Sequence, residues 1–239
     1  MGRMGAHVKN ALEKNGHEIA ANVDIGYEDG AAGCYKNINN VKEKADVIID
    51  FSFHTVSMDI ASYINSNSVP AVICTTGHTE DEKALIAEAS KKSAVFMSGN
   101  MSVGIATMAQ AVKSVASAFP DADIEINEVH HKRKLDAPSG TAIMLFDAVK
   151  EVRSDAVMNV GRSGYAKREK NEVGISSMRM GNIVGMHEVC ICTENERITL
   201  KHEAFDRALF ADGAVKAAEF LIGKEPGIYS MKELLNDTQ

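Results

Sequence analysis

Asp46-Val47-Ile48-Ile49-Asp50-Phe51-Ser52-Phe53, Val69-Pro70-Ala71-Val72-Ile73-Cys74 and Ala94-Val95-Phe96-Met97 are three apolar runs of strand length. The first predicts a strand over 46–53 buried on both faces, and the others predict strands over 69–74 and 94–97. Between them, 54–67 and 79–92 carry helical spacing. Strand, helix and strand at this interval predict a mostly parallel sheet with right-handed crossovers. Ligands of such a sheet sit beyond the carboxyl ends of its strands.

Upstream, Ala6, Val8, Ala11 and Leu12 mark one face of a helix over 5–15, stopped by Gly16. Residues 18–24 follow as a strand ending on Asp24. Downstream the pattern changes. A helix at 104–118 precedes an alternating strand over 123–129 and a helix over 139–151. Strands over 173–180, 183–194 and 196–205, joined by short turns, predict antiparallel pairing. A last helix over 211–222 is expected to return to the first domain. The expected fold is α/β: a Rossmann-like, mostly parallel sheet domain without its first strand, then an α+β domain with a mixed or antiparallel sheet. The boundaries are placed at 1–101, 102–208 and 209–239, the last being a C-terminal segment.

The chain of 239 residues is long enough to bury its own core, and 45% hydrophobic with 25% charged residues is globular composition. Its 26 basic and 33 acidic side chains leave a net charge of -7, which argues against a broad nucleic-acid-binding face. With no apolar run of membrane-spanning length and no signal-peptide core, a cytoplasmic protein without a membrane partner is expected. Cys34, Cys74, Cys190 and Cys192 are expected to be buried free thiols, with no zinc site.

Gly2-Arg3-Met4-Gly5 opens directly into the first helix, where glycines let a pyrophosphate approach backbone N–H groups. Asp24 lies near the spacing expected of an acid that binds the adenosine ribose hydroxyls and repels a 2′-phosphate. Cys74-Thr75-Thr76-Gly77 and Ser98-Gly99-Asn100-Met101-Ser102 fall at strand ends, where ring and ribose would lie; ordinary turn chemistry is the plainer alternative. Phe51 is assigned beside this site, and Phe53 fits sheet core equally well.

Glu128-Val129-His130-His131-Lys132-Arg133-Lys134-Leu135-Asp136-Ala137-Pro138-Ser139-Gly140-Thr141 gathers basic side chains into one loop of an acidic protein. Ser139-Gly140-Thr141 then enters a helix, whose N–H groups and hydroxyls suit a small carboxylate. A histidine among lysines there suits general-acid chemistry. Solvated surface, a nucleic-acid contact and a metal pair at His130 and His131 are the competing readings. Arg162, Arg179, His187 and Arg207 are further candidates for anion contacts.

These motifs together resemble the 4-hydroxy-tetrahydrodipicolinate reductase (dihydrodipicolinate reductase) family. The resemblance spans essentially the whole chain. It rests on the stretch Glu128 to Thr141 together with Gly2-Arg3-Met4-Gly5, Asp50-Phe51-Ser52, Thr75-Thr76-Gly77 and Asn100-Met101-Ser102-Val103-Gly104. Gly181-Asn182-Ile183-Val184-Gly185-Met186-His187 and Phe210-Ala211-Asp212-Gly213-Ala214 complete it.

The resemblance implies that His130 is the general acid, with Lys134 as its catalytic partner and His131 helping to form the substrate site. Gly140 and Thr141 would hold a substrate carboxylate. Gly2, Arg3, Met4, Gly5, Asp24, Phe51, Thr75, Thr76, Gly77, Asn100, Met101 and Arg207 would serve the cofactor, NADH or NADPH, and no metal is implied. The reaction implied is hydride transfer to C4 of a cyclic imine with loss of water, in lysine and diaminopimelate synthesis, by a homotetramer assembled through the second domain's sheet. The substrate implied is a small dicarboxylate.

Several positions depart from the family pattern. Met101 stands for a common Phe, and Met186 for a usual Glu. Ile25 stands where many members have an arginine for a 2′-phosphate, and His54 where some have another, which tilts the expectation towards NADH. The strand and earlier glycine that normally precede Gly2-Arg3-Met4-Gly5 are missing, so a shortened version of a longer reductase is expected. A nucleotide-binding homologue with impaired turnover is the alternative function.

Overall fold

The computed structural model describes residues 2–237. Its elements run α1 (Arg3–Lys14), β1 (Asn22–Val23), β2 (Cys34–Tyr35), β3 (Ile48–Asp50), α2 (Ser57–Asn67), β4 (Ala71–Ile73), α3 (Glu80–Ala89), β5 (Ala94–Met97) and α4 (Val103–Ala118). They continue as β6 (Asp123–His130), α5 (Gly140–Lys150), β7 (Val157–Val160), β8 (Glu172–Arg179), β9 (Gly185–Cys192) and β10 (Arg197–Ala204). Last come α6 (Ala208–Leu221), β11 (Gly227–Tyr229) and α7 (Met231–Asp237). The chain forms two compact units: one runs to Ser102 and resumes at Arg207, and the other is Val103–Asp206.

The first unit holds a four-stranded sheet in the order β11-β5-β4-β3, with every pair parallel. Val72, Ile73, Val95 and Phe96 have almost no exposed surface, because β4 and β5 are central and covered on both faces. The expected strand over 46–53 is shorter; both faces meet core, Ile48 against the α2–α3 cluster and Ile49 against the α1–α6 cluster, but neither is fully buried. Ile48 and Ile49 are only partly buried, and Phe53 is 76% exposed. The reason is position: β3 ends the sheet, so one flank has no partner strand.

On one face Ile49 and Phe51 lean on a cluster of Val8 and Ala11 from α1 with Ala211 and Val215 from α6. The α6 helix thus belongs to the first unit. The strand expected over 18–24 is also shorter. Asn22 and Val23 pair in parallel with Cys34 and Tyr35 as a separate two-stranded ribbon. α3 begins in a capping box, where Thr79 accepts from the Glu82 N–H and the Glu82 carboxylate accepts from the Thr79 N–H.

The second unit is a five-stranded mixed sheet in the order β10-β9-β6-β8-β7. One face packs on α4 and α5, with Ile105, Met108, Val112, Leu145, Phe146 and Val149 meeting Ile124, Ile126, Ile175, Val189 and Ile191. The expected antiparallel run of three strands is corrected here. Only β9 and β10 pair that way in sequence; β6 inserts between β9 and β8 and runs parallel to β8. Turn lengths do not reveal such an insertion, because the link from β8 to β9 spans a neighbouring strand.

The cysteine expectation is corrected as well. Only Cys74 is buried; Cys34 and Cys190 are half-buried and Cys192 is exposed, all as free thiols. Val189 and Ile191 take the helix-facing side of β9, so the alternating cysteines point away from it.

Candidate active site

Strand periodicity builds the centre of the second unit. Along β6 the even residues face the helices: Ile124 and Ile126 are core, and Glu128 and His130 continue the same face at the strand's carboxyl end. Register supplies the rest. Glu128 lies opposite His187 on β9, and His130 lies opposite Arg179 on β8. Four polar side chains therefore converge where the apolar core stops.

Glu128 is fully buried. Its Oε2 lies 2.5 Å from His130 Nδ1 and accepts from Arg179 Nη1 at 2.8 Å. Its Oε1 accepts from Arg179 Nη2 at 2.8 Å and from the Ser139 N–H at 3.1 Å. Burial works against the charge of Glu128, but the bonds from His130 and Arg179 outweigh it and hold the carboxyl well below the usual range. A buried carboxylate costs several kcal/mol to desolvate, roughly, so this bidentate pairing is what makes its position tenable.

His187 meets the His130 ring edge-on, with centroids 5.0 Å apart. Burial, followed by the nearby His130 charge, pushes its imidazole from the usual 6.5 down to about 3. It is therefore a neutral group at physiological pH. The Ser139 hydroxyl caps α5 by accepting from the Ala142 N–H at 3.2 Å, and lies 3.2 Å from His187 Nε2.

Gly140 and Thr141 open α5 directly after that cap. Lys134 pairs with Asp136 at 2.9 Å, which lowers the Asp136 carboxyl. Arg179 also donates to the Asp136 carbonyl at 2.6 Å, tying the basic loop to the cluster. His130, His131, Lys134, Gly140 and Thr141 thus all belong to one unit and frame one end of its sheet. Glu128, His130 and His187 also have the composition of a metal-ligand set, with ligand atoms within 4.8 Å of one another. The carboxylate's charge is already matched by Arg179, which favours an acid–base cluster.

The nucleotide candidates lie on the first unit. Gly2 is the residue before α1, and Arg3, Met4 and Gly5 form its first turn. Asp24 follows β1 and accepts from the Gly26 N–H at 2.9 Å. Thr75, Thr76 and Gly77 follow β4, and Asn100 and Met101 follow β5; a Cβ at Gly99 would touch Thr76 Cγ2 at 3.5 Å, so the two loops are neighbours. Phe51 is placed against the α1–α6 cluster, partly within core. Arg207 precedes α6, away from the loops just named in sequence.

At the carboxyl ends of β3 and β4, Asp50 Oδ2 and Thr75 Oγ1 are buried without a hydrogen-bond partner among the described residues. Orphaned polar atoms at strand ends fit a ligand carrying hydroxyl and amide groups, as a dinucleotide does. His54, at a position tied to a phosphate contact by resemblance, instead has Nδ1 2.9 and 3.0 Å from the two Glu82 oxygens.

Sequence reasoning gave Glu128 no role, and it named Arg179 and His187 only as candidates for anion contacts. Glu128 was findable, since it stands two residues before His130 and so shares its face on a strand. The pairing of Arg179 with Glu128 was not, because only the parallel β6–β8 register brings them together.

Family models described as dihydrodipicolinate reductase, N-terminus and C-terminus, match residues 1–101 and 104–235. The chain is 43% identical over 239 residues to a 4-hydroxy-tetrahydrodipicolinate reductase of Caldanaerobacter subterraneus subsp. tengcongensis, covering 98% of this chain and 94% of that one. It is 40% identical over 238 residues to the enzyme of the same name from Clostridium novyi, with the same two coverages of 98% and 94%. The dipicolinate-bound dihydrodipicolinate reductase from Paenisporosarcina sp. TG-14 shares the fold, with a TM-score of 0.77 at 22% identity, over 96% of this chain and 94% of that one. With matches to both halves and relatives of this identity along its length, the chain belongs to the dihydrodipicolinate reductase family.

Proposed function

We propose that this protein reduces 4-hydroxy-tetrahydrodipicolinate to tetrahydrodipicolinate with NAD(P)H, in lysine and diaminopimelate synthesis. The observation that carries the reading is the buried Glu128–His130 pair beside the N-terminus of α5. The balance is one imine substrate, one reduced nicotinamide and one proton in, and product, oxidised nicotinamide and water out. Loss of the C4 hydroxyl together with a proton from the neighbouring ring carbon releases the water and leaves a conjugated imine, and a bound reduced nicotinamide would supply the hydride for C4. His130 supplies the proton to the enamine carbon next to it, the N–H bond breaking as the C–H bond forms. Lys134 contributes positive charge for the substrate carboxylates, and His131 helps to form the substrate site. Gly140 and Thr141 receive one carboxylate at the positive end of α5.

Asp50 and Thr75 are the buried polar groups that would orient the cofactor, together with Thr76, Gly77, Asn100 and Met101. Gly2, Arg3, Met4 and Gly5 serve its pyrophosphate from the first turn of α1, and Arg207 and Phe51 complete the set. NADH is the preferred donor. Asp24 would bind the ribose hydroxyls, Ile25 offers no charge to a 2′-phosphate, and Glu82 holds His54. No described helix is long and apolar enough to cross a membrane, in keeping with a cytoplasmic enzyme.

Assembly as a homotetramer through the second unit's sheet is supported by the face of that sheet opposite α4 and α5. Along β10 every second residue, Arg197, Thr199, Lys201 and Glu203, is exposed.

The test is oxidation of NADH and of NADPH by the protein with freshly generated substrate. Turnover with both and a higher kcat/KM for NADH is expected. Cofactor binding without turnover would instead favour the nucleotide-binding homologue.

A further inference from the structure

The buried carboxylate behind His130 has a geometry that goes beyond charge balance. Arg179 grips both Glu128 oxygens at 2.8 Å and is itself anchored to the Asp136 and Met178 carbonyls, at 2.6 and 2.7 Å. The Ser139 N–H adds a further bond to Oε1. The carboxylate is thereby bonded on both oxygens from two directions. It faces His130 through Nδ1 alone, which leaves Nε2 as the ring nitrogen open to a substrate.

Gly185 fits the same picture. Its φ is outside the left-handed region, so the backbone does not require glycine there. A Cβ would stand 3.1 Å from His130 Nε2 and 3.4 Å from its Cδ2. Any larger residue would crowd the ring nitrogen that Glu128 does not engage.

We propose that Glu128, locked by Arg179, is the positioning residue that fixes the His130 ring with Nδ1 inward, so that Nε2 delivers the proton, and that Gly185 keeps Nε2 accessible. This rests on His130 being the general acid. A carboxylate on Nδ1 fixes the tautomer and stabilises the imidazolium, which deprotonates at Nε2 on transfer and regains its proton from solvent. His187 on β9 meets the ring edge-on, and the further charged or titratable groups of the cluster are His202, opposite His187 on β10, and Lys134 and Asp136 in the loop. His187 is neutral there, and Lys134 and Asp136 offset each other in an ion pair.

The test uses E128Q, G185A and, because E128Q strands the Arg179 charge, the double variant E128Q/R179M. Wild type and variants are compared by kcat–pH profile with NADH, and by long-range 1H–15N spectra of labelled histidine in ligand-free protein. In E128Q and in the double variant kcat is expected to fall about 10- to 100-fold with KM little changed. The high-pH limb of kcat should move to lower pH, as the acid loses the carboxylate that hydrogen-bonds its inner nitrogen. The Nδ1–H signature of His130 should be lost.

G185A should lose kcat while keeping both the pH limb and the Nδ1–H signature. Wild-type kcat, limb and tautomer in E128Q and the double variant would overturn the proposal. A wild type that lacks reductase turnover would defeat the functional reading instead, and the spectra would still decide the tautomer.

Discussion

At the scale of single residues, the cluster is governed by what burial does to each ionisable group. His187 is the clearest case, because its imidazole is shifted from 6.5 to about 3. Between those values the unfolded chain binds a proton that the folded chain does not. The stability this neutral histidine permits is therefore complete above pH 6.5 and declines as pH falls towards 3. Between about pH 7.5 and about pH 5 the expected loss is about 2 kcal/mol from this residue. In H187Q, urea midpoints at those two pH values should differ less than in wild type. An unchanged difference would remove His187 from the account. Glu128 acts in the same direction at lower pH, since its carboxyl is held well below the usual 4.5.

At the scale of elements, most helices and the central strands were legible from spacing alone. β5 lies over 94–97 as expected, and the buried positions of α4 and α5 follow helical periodicity. What was not legible depends on neighbours. The 46–53 run has core on both faces, as its apolar residues suggest, but the depth of its burial is decided by sheet order, and β3 lies at the edge. β7 and β11 were unannounced, being short segments that gain strand form only by pairing with β8 and β5.

Close approach between elements is equally invisible in sequence. Gly213 of α6 packs so tightly on the Met101 carbonyl that an added Cβ would overlap it. G213A is expected to lose about 3 kcal/mol of stability, or to displace the Met101 loop and weaken NADH binding. Thermal unfolding and an NADH titration check this, and a variant normal in both would show that α6 yields freely.

At the scale of the whole molecule, the chain divides its tasks between two units. The first presents strand ends, a helix N-terminus and an acid suited to a nucleotide. The second presents one basic loop around a histidine, although the chain's net charge is -7. The candidate site was largely readable because its loop is contiguous in sequence; the glutamate–arginine support was not, because it is assembled across strands. The uncovered face of the second unit's sheet leads to a mass prediction. Light scattering should give about four times the 25.8 kDa of one chain, and a monomer at micromolar concentration would contradict the tetramer.

The most direct test of the central claim pairs turnover with cofactor binding in H130A. The account predicts a kcat lowered by about 10²- to 10⁴-fold with NADH affinity unchanged, because His130 is proposed to give the proton and the other unit to hold the nucleotide. Turnover equal to wild type, or loss of NADH binding along with activity, would contradict it.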